Sequence, residues 1–267
     1  MNPAGAVYQS PPSSFAMPLP YAPPAGSSGT TATLMPLQRA PAPAPVPRQP
    51  EALPPSAVPV YEVWAENFDE MQITIGYFAA HARCVAVNVH YPGVVHGARQ
   101  DLGALTVEQR YAILKANVDA LKPIQVGLAI CTEGGSIAAW ELNLCDSDEA
   151  VGVPMAKLIR VLRVTCRPGV ELATHAGAYH VAYLMKVISG GKQLPSDIDG
   201  FFRAVRRSLG DDVYDVALMA AEYRDLPVGL AGAGSVQTIL VYMGLWSHPH
   251  RGNLDRFRCV LQGLQAV

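Results

Sequence analysis

Two polar residues interrupt the apolar segment VAVNVHYPG, which runs from Val85 to Gly93. Side chains two residues apart point to the same face of a strand, so Asn88 and His90 are expected to project together just before a turn. An amide oxygen and an imidazole nitrogen can bind a metal ion or hydrogen-bond to neighbouring groups. From the residues alone, a structural histidine and a turn-preparing asparagine are favoured over a metal site.

Three further residues belong to the candidate chemistry. His180 lies in the first turn of a predicted helix, AYHVAYLMKVIS, where packing or capping is the expected role. Asp255 lies near the start of the last predicted helix, and there an acid suits the helix dipole as well as it suits a metal ion. His250 belongs to SHPHRG, a predicted loop. The glycine-rich GLAGAGSV is also predicted to be a loop, since no Walker lysine follows it.

The first 60 residues differ in composition from the rest of the chain. They hold 16 of the 23 prolines and show neither helical nor strand periodicity. Such a segment cannot bury enough apolar area to offset the entropy of ordering it. The prediction is a disordered, Pro/Ala-rich tail over residues 1–60, acting as a spacer, followed by one globular domain over residues 61–267.

Composition restricts the class of this domain. Residues 61–267 hold 18 of the 20 Lys and Arg and 21 of the 22 Asp and Glu. This near-neutral balance argues against a large basic nucleic-acid surface. No apolar segment approaches the length of a membrane span, and no secretory signal is expected. The cysteines show no C-x-x-C spacing and are predicted to be reduced apolar residues (Cys84, Cys131, Cys145, Cys166, Cys259).

Hydrophobic periodicity predicts a mixture of helices and strands. Strands are expected in RCVAVNV, PIQVGLAI, SIAAWELNL and GVELATH, with a hairpin turn at Glu133–Gly135 joining the second to the third. Helices are expected in VWAENFDEMQITIGYFAAH, VEQRYAILKANVDALK, PMAKLIRVLRV, AYHVAYLMKVIS, DIDGFFRAVRRSLG, DVYDVALMAAEY and NLDRFRCVLQGLQ. This pattern indicates an α/β domain with a mixed sheet and helices packed on it.

Several motifs are shared with one known family. They are VWAEN, YPGVV, WELNL, AYLMK, VYDVALM and a longer block with many identities at fixed spacing (Tyr111, Leu114, Lys115, Asn117, Val118, Asp119, Leu121, Lys122, Ile124, Gln125, Gly127, Leu128). Over most of residues 61–260 the chain resembles the CCR-associated factor (CAF, or Pop) deadenylases, nuclease subunits of the CCR–NOT complex. The resemblance implies a ribonuclease-H-like mixed sheet flanked by helices.

The resemblance also implies a function and its partners. The family consists of poly(A)-specific 3′→5′ exoribonucleases that use two divalent metals, Mg or Mn, held by four acids beside a general-base histidine. Expected partners are the complex's scaffold, its leucine-rich-repeat deadenylase subunit and poly(A) RNA, in the cytoplasm and the nucleus. After Cys145 the chain is shorter than its relatives by a few tens of residues.

At the family's acid positions this chain departs from the pattern. Asn88 and His90 stand where relatives carry D-x-E, and His180 stands where they carry the third acid. The resemblance places the final H-x-x-x-x-D pair at His250 and Asp255, the candidates for a retained base and last acid.

These substitutions replace three carboxylates with neutral groups. Because magnesium prefers carboxylate oxygen, the sequence predicts a pseudo-nuclease that is inactive or strongly impaired, with no cofactor expected. Two alternatives remain: an active exoribonuclease that tolerates the altered ligands, and a non-catalytic RNA-binding module. A further hypothesis is that His90, His180 and Asp255 converge on zinc or another transition ion.

Overall fold

The computed structural model describes residues 58–144, 151–222, 234–246 and 251–264. Most of the predicted Pro/Ala-rich tail and His250 therefore lie outside the described residues. Within the described part, Val58 is buried and the first strand begins at Val60. The first described strand thus lies where the proline content of the sequence falls, and the tail over residues 1–60 stays a prediction.

Six strands form one mixed sheet, which confirms the predicted α/β class. Their order across the sheet is β1-β4-β3-β2-β5-β6. The two central pairs, β2–β3 and β3–β4, are antiparallel, whereas β1–β4, β2–β5 and β5–β6 are parallel. The strands are β1 (Val60–Val63), β2 (Ala82–His90), β3 (Gln125–Thr132), β4 (Ile137–Asn143), β5 (Glu171–Thr174) and β6 (Val213–Asp215).

Helices cover both faces of the sheet. They are α1 (Phe68–Ala80), α2 (Val107–Ala120), α3 (Met155–Thr165), α4 (Ala178–Ile188), α5 (Ile198–Leu209), α6 (Val216–Glu222) and α7 (Ser235–Trp246). Short 3-10 helices run over Leu102–Ala104 and Arg251–Phe257. Within the described ranges, no helix has the length and apolarity needed to cross a membrane.

Alternation along β2 divides the core between these two faces. Val85, Val87 and Val89 belong to the larger apolar cluster, together with residues of α1 to α5. Cys84 and Ala86 belong to the second cluster, under α7. The sheet residues of this second face are mostly small, so that α7 packs close to the strands (Cys84, Ala86, Ala129, Cys131, Ala139, Ala173).

Both ends of α2 are closed by side chains. At its start, Thr106 and Gln109 form a reciprocal capping box. At its end, the Lys186 ammonium of α4 donates to the backbone oxygens of Val118, Asp119 and Leu121 at 2.6, 3.1 and 3.1 Å. These carbonyls have no partner within a helix, so Lys186 joins α4 to the end of α2.

The structure confirms most predicted elements and corrects four. β1 was not predicted and reaches only the first residue of the predicted helix, Val63, and β6 occupies the start of DVYDVALM. Helix α7 begins in the predicted glycine-rich loop. The predicted closing helix is wrong: a 3-10 helix ends at Phe257, and turns follow, with Cys259 at φ 53.

Candidate functional site

Asn88 lies near the end of β2, on the sheet face that α7 covers. Its partner across the β2–β3 ladder is Gly127. A Cβ on Gly127 would lie 3.3 Å from the Ser235 hydroxyl, a contact tighter than side chains normally make. Glycine at this position therefore lets the start of α7 approach the strand beside Asn88.

Gly234, the residue before α7, lies close to Asn88. A Cβ built on Gly234 would lie 4.0 Å from the Asn88 amide nitrogen. The backbone of Gly234 is not in the left-handed region, and no closer atom meets that Cβ. A side chain therefore fits at residue 234 and would face Asn88, but the sequence provides none.

His90 is the last residue of β2 and is exposed to solvent. It pairs with Gln125 across the ladder, and its backbone oxygen accepts from the Ile124 N–H at 2.8 Å. Strand alternation places the side chain on the same face as Asn88, as the sequence predicts. The imidazole is thus free to meet a ligand from solvent at the rim of this face.

His180 has a structural contact with β2. Its Nδ1 accepts a hydrogen bond from the backbone N–H of Val89 at 3.0 Å. β5 pairs with β2 only as far as Ala86, so beyond that point the β2 edge needs another acceptor. His180 supplies it, which is a structural role but not the helix cap considered from the sequence, since no side chain caps the start of α4.

Because of this hydrogen bond, His180 has no free lone pair with which to bind a metal ion. A neutral imidazole has one nitrogen with a free lone pair, and here that lone pair accepts from Val89. The other nitrogen, Nε2, carries the proton in this tautomer. Burial is the largest cause that lowers the pKa of His180 to about 4, so the ring is neutral at pH 7.

Three tyrosines hold the start of α4 against the end of β2. Tyr91 stacks on Tyr179 and on Tyr183, with ring centroids 5.2 and 5.0 Å apart. It also meets the His180 ring edge-on at 6.4 Å. Burial raises the pKa of Tyr91, and it raises that of Tyr183 to about 12. These phenols therefore stay neutral and act as packing groups.

Asp255 lies in the 3-10 helix Arg251–Phe257 and is exposed. Its carboxylate pairs with the Arg258 guanidinium at 3.2 Å. Among the described residues, no three His, Cys, Asp or Glu side chains are placed to hold a metal ion. The proposed convergence of His90, His180 and Asp255 is therefore not found, and the role of His250 stays a prediction.

A different acid, Asp215 at the end of β6, is fully buried. Its two carboxylate oxygens accept four backbone N–H groups, at 2.7 to 3.1 Å, which come from the β5–α4 loop, α6 and the C-terminal segment (Ala176, Gly177, Ala217, Gln262). Four donors occupy the lone pairs of this carboxylate. Asp215 thus fastens three chain segments and is not available as a metal ligand.

The donor set does not fit the two hard divalent ions that the resemblance implies. Asn88 offers one neutral oxygen, His90 offers nitrogen, and the lone pair of His180 is already used. Mg²⁺ and Mn²⁺ are held by carboxylate and other oxygen ligands. At the end of β2, the described residues therefore do not form a two-metal site.

Comparison with known proteins shows which families and proteins this chain is similar to. A family profile described as CAF1 family ribonuclease matches residues 63–149. Probable CCR4-associated factor 1 homolog 5 of Arabidopsis thaliana is 28% identical over 189 residues, which are 60% of this chain and 65% of that protein. Putative CCR4-associated factor 1 homolog 8 of the same plant is 28% identical over 191 residues, 61% of this chain and 76% of that protein. The chain thus spans slightly under two thirds of the first relative's length.

Solved structures show the same fold at lower sequence identity. Pop2p of S. pombe, in its Mg²⁺ and Mn²⁺ bound form, has a TM-score of 0.63 and 21% identity, covering 77% of this chain and all of that one. A chain from the structure of the yeast NOT1 MIF4G domain co-crystallized with CAF1 has a TM-score of 0.61 and 17% identity, covering 78% and 98%. Residues 63–149 therefore match the CAF1 family ribonucleases, and the chain is similar to the CCR4-associated factor 1 proteins over about 60% of its length and has the fold of the Pop2 structures.

Proposed function

We propose that this protein serves mRNA poly(A)-tail shortening, within a CCR4–NOT-type complex, as a pseudo-nuclease. The observation that carries the proposal is the donor set at the end of β2. Asn88, His90 and His180 stand at three acid positions of the resemblance, and the side chain that would face Asn88 from α7 is missing at Gly234. A phosphodiester cleavage that relies on two clamped metal ions has no carboxylate ligands there.

The framework around this site is retained. Asn117 and Lys186, both within motifs shared with the family, make multiple hydrogen bonds that fix the β2–α2 loop and the end of α2. Retained framework with substituted ligands is the pattern expected when a fold is kept as an interaction module. The loss is then one of ligand chemistry and not of folding.

The first test is metal binding, because it does not depend on finding the right RNA. Manganese titration, followed by the loss of the free-ion paramagnetic resonance signal, compares wild type with a quadruple variant, Asn88→Asp, His90→Glu, His180→Asp and Gly234→Asp. Each altered ligand changes the manganese affinity by at least about 10-fold, so the quadruple variant is expected to bind manganese about 10⁴-fold more tightly.

A matched pair of variants locates the fourth acid. The triple variant Asn88→Asp, His90→Glu, His180→Asp relies on Asp255, whereas the quadruple variant adds an acid at residue 234. At the start of α7 an added aspartate also suits the helix N-terminus. We expect Asp255→Asn to leave manganese binding of the quadruple variant unchanged. Tight manganese binding by the wild type would contradict the proposal.

The proposed partners are the scaffold of the complex and its leucine-rich-repeat deadenylase subunit. Support for the scaffold comes from a neighbour of the same fold, a CAF1 that was co-crystallized with the MIF4G domain of yeast NOT1. Co-purification with a MIF4G domain at micromolar concentration is the expected result. Wild type and the quadruple variant should be retained equally, because the substitutions lie at the metal site.

A further inference from the structure

Three sulfur atoms meet beneath α7, on the sheet face described above. Cys84 of β2 and Cys131 of β3 are direct partners across the antiparallel ladder, and both are completely buried. Both side chains belong to the apolar cluster under α7, so they lie side by side on that face of the sheet. The Met243 thioether of α7 lies 3.7 Å from the Cys84 sulfur. The same small space therefore holds two thiols and one thioether.

The spacing suits a three-coordinate soft ion. Metal–sulfur bonds of about 2.3 Å in a trigonal arrangement place the sulfurs about 4 Å from one another. The 3.7 Å separation of the Cys84 and Met243 sulfurs is close to that value. Thiolate and thioether ligands together select Cu(I) over hard ions such as magnesium.

Glu171 is the residue beside the two cysteines that could give a metal ion an oxygen ligand. Glu171 pairs with Cys84 across the β2–β5 ladder, and its buried Oε2 has no hydrogen-bond partner among the described residues. Yet Cys84, Cys131 and Glu171 do not form a group that could hold an ion. The third ligand is then the Met243 thioether, and a zinc site of the usual Cys, His and carboxylate type is not present here.

Charge and proton balance are consistent with such an ion. The Cys84 thiol donates to the Met243 sulfur at 3.7 Å, and the Cys131 thiol donates to the backbone oxygen of Thr132 at 3.5 Å, so each thiol has a proton to lose when an ion binds. Binding of one Cu⁺ forms two copper–thiolate bonds and one thioether bond and releases two protons to solvent. The resulting single negative charge lies near the Arg83 guanidinium, which stacks over the Trp246 ring at 4.0 Å.

We propose that Cys84, Cys131 and Met243 form a binding site for a soft monovalent metal ion of the Cu(I) class. The site is separate from the end of β2, because Cys84 precedes Asn88 by four strand residues, about 13 Å along the strand. It does not rest on the proposed pseudo-nuclease function. Its partly exposed ligand is Met243, so an ion enters from the α7 side of the sheet.

The test uses the reduced full chain under anaerobic conditions, with Cu(I) presented by a coloured chelator. We expect one equivalent of Cu(I) to move to the protein, with a first shell of three sulfurs at about 2.3 Å in X-ray absorption. Cys84→Ala and Cys131→Ala should each lower the affinity by about 100-fold or more, and Met243→Leu by at least about 10-fold.

Cys166→Ala is the matched control, since Cys166 is also buried but belongs to the cluster on the other face of the sheet. It should leave copper transfer unchanged. Met243→Leu preserves the volume of the core, so it separates ligand loss from misfolding, and circular dichroism confirms the fold of each variant. No transfer to the wild type, or equal affinity in the wild type and Met243→Leu, would overturn the proposal.

Discussion

The His180 side chain stabilises the end of β2 through a hydrogen bond with the Val89 backbone. In the neutral ring, Nδ1 accepts from Val89, and burial opposes protonation. A protonated ring would have no acceptor for the Val89 N–H. The residue therefore stabilises the end of β2 only while it is neutral.

The pKa of His180 makes stability depend on pH in a defined window. The pKa is about 4 in the folded protein and 6.5 without the fold, so between these values the unfolded chain binds more protons. Stability is complete above pH 6.5 and falls as the pH drops toward 4, by about 3 kcal/mol at most. We expect His180→Gln, whose amide oxygen can accept from Val89, to lose this part of the pH dependence in urea unfolding.

The exposed His90 provides the control for this experiment. His90→Gln removes an imidazole from the same sheet end without touching the Val89 hydrogen bond. It should keep the wild-type pH dependence between pH 6.5 and 4. If His180→Gln and His90→Gln give identical stability curves against pH, the role assigned to His180 is wrong.

Asp215 is a second side chain with a measurable structural role. Asparagine at this position would keep one acceptor oxygen and turn an NH₂ group toward the two backbone donors of the other oxygen, either Ala176 and Ala217 or Gly177 and Gln262. Because buried donors without acceptors are costly, Asp215→Asn should lower the free energy of unfolding by about 3–5 kcal/mol. In the same urea unfolding series, the exposed Asp211→Asn, which loses a surface ion pair with Arg206, should cost less than about 1 kcal/mol.

Among the helices, α2 and α4 are coupled through Lys186. Replacing Lys186 with methionine keeps most of the apolar stem but leaves three carbonyl oxygens at the end of α2 without their donor. We expect a loss of about 2–3 kcal/mol in the free energy of unfolding. The exposed Lys192 gives the comparison: Lys192→Met should change stability by less than about 0.5 kcal/mol. If Lys186→Met and Lys192→Met changed the free energy of unfolding equally, Lys186 would not stabilise the end of α2 as proposed.

Elements with clear periodicity were predictable, and the others were not. The central strands and α1 to α5 follow from alternation and from 3–4 residue spacing. β6 has three residues, too few to show alternation, and α7 is apolar around much of its circumference. The closing segment buries its apolar residues Leu254, Phe257, Leu261 and Leu264, as a helix would. Cys259 at φ 53 and Gly263 at φ 94 nevertheless prevent a continuous helix.

The candidate site was predictable only where its residues lie on elements with clear periodicity. Strand alternation and the predicted helix start place Asn88, His90 and His180 where the structure has them. The position proposed here for a fourth acid, residue 234, could not be predicted, because glycine has no side chain that could signal a ligand. His250 and Asp255 matched the expected spacing instead, but Asp255 pairs with Arg258.

At the scale of the molecule, the residues that build the fold are kept, whereas the residues at the expected metal site are substituted. The sheet, its two covered faces and the fastening by Asp215 and Lys186 are complete in the described residues. The end of β2, by contrast, carries amide and imidazole groups where a two-metal nuclease needs carboxylates. The account therefore predicts a stable protein of the CAF1 ribonuclease fold without magnesium-dependent cleavage.

The most direct measurement is the shortening of a 5′-labelled RNA that ends in a run of adenosines. Purified wild-type protein, with Mg²⁺ or Mn²⁺, should leave the RNA at full length, as buffer does. At equal folding by circular dichroism, the quadruple variant with acids at residues 88, 90, 180 and 234 should shorten the tail when metal is present. Metal-dependent shortening of the RNA by the wild type itself would contradict the central claim.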